Sequence, residues 1–248
     1  MIKHLTSGIL CCLLAAGTVF AQNTLSSQEK KEGWKLLFNG KNTDGWHNYG
    51  TKGVGPGWII EDGALKLNAV DRAGNKTKNA KGEVIGNDIV TDEVFSGDFE
   101  FKADWKVSKQ ANSGIFFFVT EAPKYKEIYH TGLELQVIDD SIYEGAPENK
   151  HRAGDLFGVT NARIREPLPV GQWNKVLVRL KGNKLTVDMN GYRIQELDLN
   201  SPSWKKSLEA DGSPLKNSPL TKGIFKGAFG LQDWGSMVWY RNLKYRKI

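Results

Sequence analysis

The sequence predicts an all-β sandwich or barrel, on three observations. Short runs with alternating apolar and polar residues recur at even spacing, separated by Gly, Asn and Asp turns. No long stretch carries helical period. The 248-residue chain also holds eight Trp and eleven Phe, enough aromatic bulk for a large core.

The chain opens with Lys3, an apolar run from Leu5 to Phe20, and a small-residue cleavage pattern at Val19-Phe20-Ala21. This is the grammar of a secretory signal peptide over residues 1–21. The apolar run is shorter than the ~20 residues a membrane span needs. Cys11 and Cys12 sit in the middle of the run rather than at its end, which disfavours a lipoprotein anchor. The expectation is export to the periplasm or the cell exterior. Both cysteines would leave with the signal, so the mature chain would have no disulfide and no thiol chemistry.

Residues 22–33 read as a loose polar leader, and residues 34–248 as a single domain without internal repeats. Strands are predicted near 58–61, 64–67, 88–91, 98–107, 113–119, 132–138, 156–159, 174–181, 184–190, 192–198, 227–232 and 236–246. "EDGAL" and "KGNKL" look like hairpin turns, and "MNGYR" carries the Asn-Gly signal of a tight one. One short helix is expected at 203–210, with Ser203 as its N-cap. Segments 69–86 and 199–223 are too long for plain turns and are candidates to border a binding face. In "FEFKADWKV", Phe99, Phe101, Ala103, Trp105 and Val107 should face the core, and Glu100, Lys102, Asp104 and Lys106 should face outward.

Composition excludes several chemistries. The mature chain has no Cys nucleophile or thiolate metal site, and the sequence contains no HExxH, no phosphate-binding Gly loop and no GxSxG elbow. The formal net charge of +6 is scattered rather than gathered in an arm, so nucleic acid is not an expected partner. Only His47, His130 and His151 remain beyond the signal segment, without metal-ligand spacing.

Reactive side chains concentrate between 130 and 155. "YHTGLELQVIDD" (129–140) alternates, with Leu133, Leu135 and Val137 on one face and Glu134, Gln136 and Ile138 on the other. His130 precedes this strand and Asp139 and Asp140 follow it; Glu144, Glu148, His151, Arg152 and Asp155 come next. Imidazoles and carboxylates are the usual general acids and bases. A solvated polar face with an acidic loop gives the same pattern, and residues alone leave that choice open. Asn112-Ser113-Gly114 and Gln232-Asp233-Trp234 are two further polar groups at strand ends.

Taken in order, "LLFNGKNTDGWHNYG", "DFEFKADWKVSKQANSGIFFFV", "YHTGLELQVIDD", "HRAGDLFGV", "GQWNKVLVRLKGNKLTVDMNG" and "FGLQDWGSMVWYRNLKYRKI" resemble the 3-keto-disaccharide hydrolase domain family. The resemblance runs from about residue 33 to residue 248. It implies a concanavalin A-like jelly roll, two antiparallel sheets with a concave site face, and action on glycosides oxidised at C3. Carried over position by position, His130, Glu134, Asp139 and His151 become catalytic candidates. Asn112, Gln136, Arg152, Asp155, Gln232, Asp233 and Trp234 become substrate-binding ones, and Ser113 belongs to the matching Asn-Ser-Gly turn. Two positions depart from the pattern: Trp234 stands where the family commonly has His, and Phe157 where Tyr is frequent.

A 3-keto sugar acidifies its C2 hydrogen, which opens an elimination route. His130 or His151 would be the base, Glu134 and Asp139 acid or orienting groups, and Gln136 and Arg152 would bind hydroxyls or the ketone. No cofactor is required; a divalent metal held by an Asp/Glu/His group is an alternative. The competing functional class is a carbohydrate-binding, lectin-like module, which the fold would serve equally well. The sugar, the linkage and the oligomeric state are open at this level.

Overall fold

The structure, a computed structural model, describes residues 22–68, 87–143 and 150–248. The segments 1–21 and 69–86, with Glu144 and Glu148, lie outside the described residues. In chain order the elements are α1 (Ser27–Lys31), β1 (Lys35–Leu36), β2 (Trp46–Asn48), β3 (Trp58–Glu61), β4 (Ala64–Leu67), β5 (Ile89–Thr91), β6 (Phe95–Ser96), β7 (Phe99–Val107), β8 (Asn112–Val119) and β9 (Leu133–Ile138). They continue with β10 (Asn174–Lys181), β11 (Lys184–Met189), β12 (Tyr192–Asp198), α2 (Pro202–Glu209), β13 (Lys226–Leu231) and β14 (Val238–Lys247).

The strands form two antiparallel sheets. The larger runs β12-β11-β10-β7-β14-β4-β3, with β1 on β14. The smaller runs β2-β5-β13-β8-β9, with β6 on β13. This is the expected sandwich. Tight turns set the hairpin registers where the sequence signals them. Asp62 and Gly63 between β3 and β4, and Asn190 and Gly191 between β11 and β12, all have positive φ, as a two-residue turn matched to strand twist requires.

Aromatic rings fill the space between the sheets. Phe99 and Phe101 of β7 meet Phe117 of β8 and Phe229 of β13; Phe95 stacks on Phe229 at 4.5 Å, and Phe101 meets Phe117 edge-on at 5.3 Å. Among the described residues, no helix is long and apolar enough to cross a membrane.

Four local expectations are corrected. Residues 22–33 are not loose. Ser26 and Glu29 form a reciprocal capping box on α1, and Asn23 is buried, exchanging hydrogen bonds with Asn242. Glu29 then reaches Lys102 and Lys244 on the outer face of the larger sheet. The outward residues of β7 are accordingly less exposed than alternation suggests: Glu100 is buried against Arg179 and Arg246, and Asp104 against Arg241 and Asn242. Residues 156–159 form no strand, only isolated bridges from Leu156 to Leu135 and Thr160, because the chain turns at Gly158, which has positive φ, and the Val159 N–H bonds back to the Leu156 carbonyl. The second helix is capped by Ser201, whose oxygen accepts the Trp204 N–H; Ser203 lies inside the first turn.

Candidate active site

The site lies on the outer face of the smaller sheet, where β5, β13, β8 and β9 run side by side. Gly230 faces Val90 and Phe116, and Leu231 faces Ile89 and Ile115. One step further, the Gln232 N–H donates to the Gly114 carbonyl at 3.0 Å, and Gly114 faces Gln136. Asp88, Gln232, Gly114 and Gln136 thus form one row across four strands. At about 4.8 Å per strand the row is about 14 Å wide. Ile89, Ile115 and Leu231 point into the core, so the row points outward.

Gly114 leaves a gap in this row, and the Glu134 side chain fills it. A Cβ at Gly114 would lie 2.7 Å from both Cγ and Cδ of Glu134. Glu134 comes from the neighbouring position of β9, opposite Phe116, and its carboxyl folds over the vacant slot. All six residues of β9 are buried, so the strand is not a solvated face. Burial, reinforced by the charge of Asp88, pushes the Glu134 carboxyl well above the usual carboxylate range.

Above it opens a cavity of about 310 Å³, lined by Asn112, Tyr129, Glu134, Gln136, His151, Phe157, Pro214, Gln232 and Trp234, among others. That volume is at the lower end of the range for small-molecule sites, about 300–1,000 Å³. The Gln136 amide donates to Asn112 Oδ1 at 2.6 Å, while its own Oε1 is buried without a hydrogen-bond partner. Burial, with the charges of Glu127 and Asp88 adding to it, raises Tyr129 above the ordinary phenol value, so its hydroxyl stays a donor. A second cavity of about 420 Å³ continues past Tyr129, Gln232 and Trp234 and is walled by Asp88, Lys126, Glu127 and Asp233.

Three segments build the walls. Residues 154–157 hydrogen-bond along the free edge of β9: Gly154 N to Gln136 O, Gln136 N to Asp155 O, and Phe157 N to Glu134 O. This edge pairing holds His151 over the floor, its ring stacked on Phe157 at 4.5 Å. The 120–131 loop brings Tyr129. Its start is tied to β2 by His47, whose ring nitrogens lie 2.6 Å from Asp92 and 2.9 Å from Glu121. Burial disfavours the His47 cation, but the hydrogen bonds to those carboxylates outweigh it and raise its pKa. The third wall is Gly212 and Pro214, from the long 199–223 segment.

The structure gathers Asn112, Glu134, Gln136, His151, Gln232 and Trp234 in the first cavity. The other candidates stand elsewhere. His130 lines neither cavity, and its Nδ1 accepts the Glu127 N–H. Asp139 accepts the N–H groups of Gln110 and Ser141, which outweigh partial burial and lower its pKa. Asp155 is buried and bridges the N–H groups of Arg152 and Ala162; the Arg152 side chain lines neither cavity. Asp233 borders the second cavity, but both of its oxygens accept backbone N–H groups, from Asn87 and Gly235. Ser113 turns inward to Tyr240 and the Gln232 carbonyl. Asp88, Tyr129 and Pro214 are lining residues that the motif reading missed. Only the loop length of 199–223 hinted at Pro214, and only sheet order reveals Asp88. Among the described residues no three His, Asp or Glu side chains converge as a metal site.

Known proteins share the family and the fold. The chain is 28% identical over 236 residues to a 3-keto-disaccharide hydrolase of Bacteroides thetaiotaomicron, covering 88% of this chain and 79% of that protein. A crystal structure of a candidate glycosyl hydrolase from Parabacteroides distasonis superposes with TM-score 0.75 at 29% identity, over 92% of this chain and all of the other. A second structure from that organism, 23% identical with TM-score 0.63, covers 87% of this chain and 99% of its own and shares the fold. Residues 33–246 match the 3-keto-alpha-glucoside-1,2-lyase-like domain. The chain therefore belongs to that family and is a glycoside hydrolase-like enzyme.

Proposed function

We propose that this protein is an exported enzyme that cleaves 3-keto-glycosides by elimination across C1 and C2, with hydration completing hydrolysis. One observation carries the reading: a fully buried carboxyl, pushed by that burial toward its acid form, shares a cavity with an imidazole and several amide groups. Ordinary glycosidases set two carboxylates across the bond, one of them ionised. A buried carboxyl sharing a cavity with an imidazole suits a different division of labour, proton removal from carbon with proton delivery to oxygen.

In the proposed sequence His151 takes the C2 proton, and the C2–H electron pair moves into the C3 ketone as an enolate. Tyr129 O–H and the amides of Asn112 and Gln232 are the donors available to that oxygen. The enolate collapses to form the C1=C2 bond as the C1–O bond breaks. Glu134 gives its proton to the departing oxygen. Water then adds at C1, Glu134 takes back a proton from it, and the imidazolium returns its proton to C2. Atoms and charges balance as net hydrolysis. Release before the water step would make the same site a lyase. Trp234, 57% exposed at the rim, offers an apolar face to a sugar ring.

The test offers the purified protein a 3-keto-disaccharide and its unoxidised parent, in D2O. Cleavage of the keto form alone, with deuterium at C2 of the released keto sugar, is expected. Equal cleavage of both without exchange would indicate a conventional hydrolase. Binding of either without turnover would identify a carbohydrate-binding module.

A further inference from the structure

Asp88 ends the transverse row that Gln136 begins, on the same outward face. Its Oδ1 accepts the Asp233 N–H at 2.8 Å, which fixes the carboxyl. It stands in the second cavity, which shares Tyr129, Gln232 and Trp234 with the cavity over Glu134. β13 and β8 lie between their strands, but the Glu134 carboxyl folds over Gly114 of β8, so strand spacing puts the two carboxyls about 10 Å apart. We propose that Asp88 is a positioning residue that holds the proton on Glu134 until the glycosidic oxygen takes it. The inference rests on the reading of Glu134 as the acid.

The other charges around Glu134 do not replace Asp88. His151 faces the same cavity from the 150–157 segment, and Tyr129 from the 120–131 loop. Tyr240, from the opposite sheet, is kept a neutral phenol by burial first, with a contribution from Glu134. In the second cavity Lys126 and Glu127 are adjacent opposite charges, and both Asp233 oxygens are held by backbone N–H groups. Of these carboxylates only Asp88 lies in the row, and its charge acts on Glu134 in the same direction as burial.

The experiment compares pH profiles of kcat/KM on a 3-keto-disaccharide for wild type, Asp88→Asn and Glu134→Gln. In parallel, the Glu134 carboxyl is titrated by NMR of the 13C-labelled protein, the Glu134→Gln spectrum providing the assignment. Asn keeps the acceptor for the Asp233 N–H. Asp88→Asn should move the alkaline limb and the carboxyl titration down together, by about one pH unit for charges near 10 Å in a partly buried setting. Above the limb that is roughly a tenfold loss of kcat/KM, with little change below it. An unmoved titration overturns the inference, and the acid role of Glu134 then stands or falls on its own variant. A titration that moves while the rate profile does not upholds the coupling and overturns Glu134 as the acid. Should Asp88→Asn fail to fold, Asp88→Ser, which also offers an oxygen to Asp233, is read the same way.

Discussion

Glu134 is placed where an ionised carboxyl is costly, and that cost has a sign. Its pKa in the fold lies well above that of an unfolded glutamate, near 4.5. Between those two values the native state binds more protons than the unfolded state. Stability is therefore full below about pH 4.5 and falls as pH rises through the native value, by up to about 1.4 kcal/mol per pH unit. Glu134→Gln removes the titration. Its melting temperature should match wild type near pH 4 and exceed it increasingly toward neutral and alkaline pH, while activity falls by about 10²–10⁴-fold. A melting difference that does not change with pH would refute the buried-acid description. The sequence showed Glu134 and Gln136 through simple alternation. It could not separate them from Asp139, Asp155 and Asp233, because a carboxylate beside a turn serves backbone N–H groups as readily as substrate. Asp88 was invisible for the opposite reason. It is far from the motif in sequence, and only the order β5-β13-β8-β9 makes it a neighbour.

At the scale of elements, the site depends on one pairing of β8 with β9. The register sets Gly114 opposite Gln136 and Phe116 opposite Glu134, so the single residue without a side chain lies where the carboxyl folds down. Gly114→Ala should therefore act on chemistry more than on folding. Its methyl group displaces the Glu134 carboxyl, with a packing cost of about 1–3 kcal/mol and a fall in kcat of at least about 10²-fold, because a misplacement of about 1 Å is enough for that. Circular dichroism with steady-state kinetics tests it; full activity in a folded Gly114→Ala protein would show that the carboxyl does not need the slot. From sequence, the Asn-Ser-Gly run suggested a turn, whereas the structure uses it as the start of β8. Long alternating strands and Asp-Gly or Asn-Gly hairpins were legible because each has a local cause. β1, β2 and β6 were not, since two or three residues carry no period and are held by partners distant in sequence. The sequence predicts a strand at 156–159 because its apolar pattern is strand-like. What ends the pairing is the turn at Gly158, which has positive φ.

The molecule as a whole divides its two outer faces between chemistry and attachment. The smaller sheet carries both cavities. The larger sheet carries an ion-pair network on which the N-terminal segment lies: Glu29 on Lys102 and Lys244, Glu32 on Arg246, and Trp34 beneath the cations of Lys102 and Arg246. Polar composition made 22–33 look unattached, because a segment fixed by charge rather than by apolar burial has no hydrophobic signature. Partial burial works against the Glu29 charge, but hydrogen bonds from Lys244, Ser26 and Lys102 outweigh it and bring its pKa down to about 2. This is a depressed carboxylate, so its contribution is fully present above the unfolded value of 4.5 and is lost as pH falls toward 2. Glu29→Gln should lower stability at pH 7 by about 1–2 kcal/mol once solvent screening is allowed for, or roughly 2–8 °C in melting temperature. That deficit should close as pH falls from about 4.5 toward 2, where wild type loses the same charge. Activity should not change, since the core of the sandwich separates Glu29 from both cavities. A Glu29→Gln enzyme with altered KM or kcat, or a deficit that persists at pH 2, would mean that the two faces are coupled through the core.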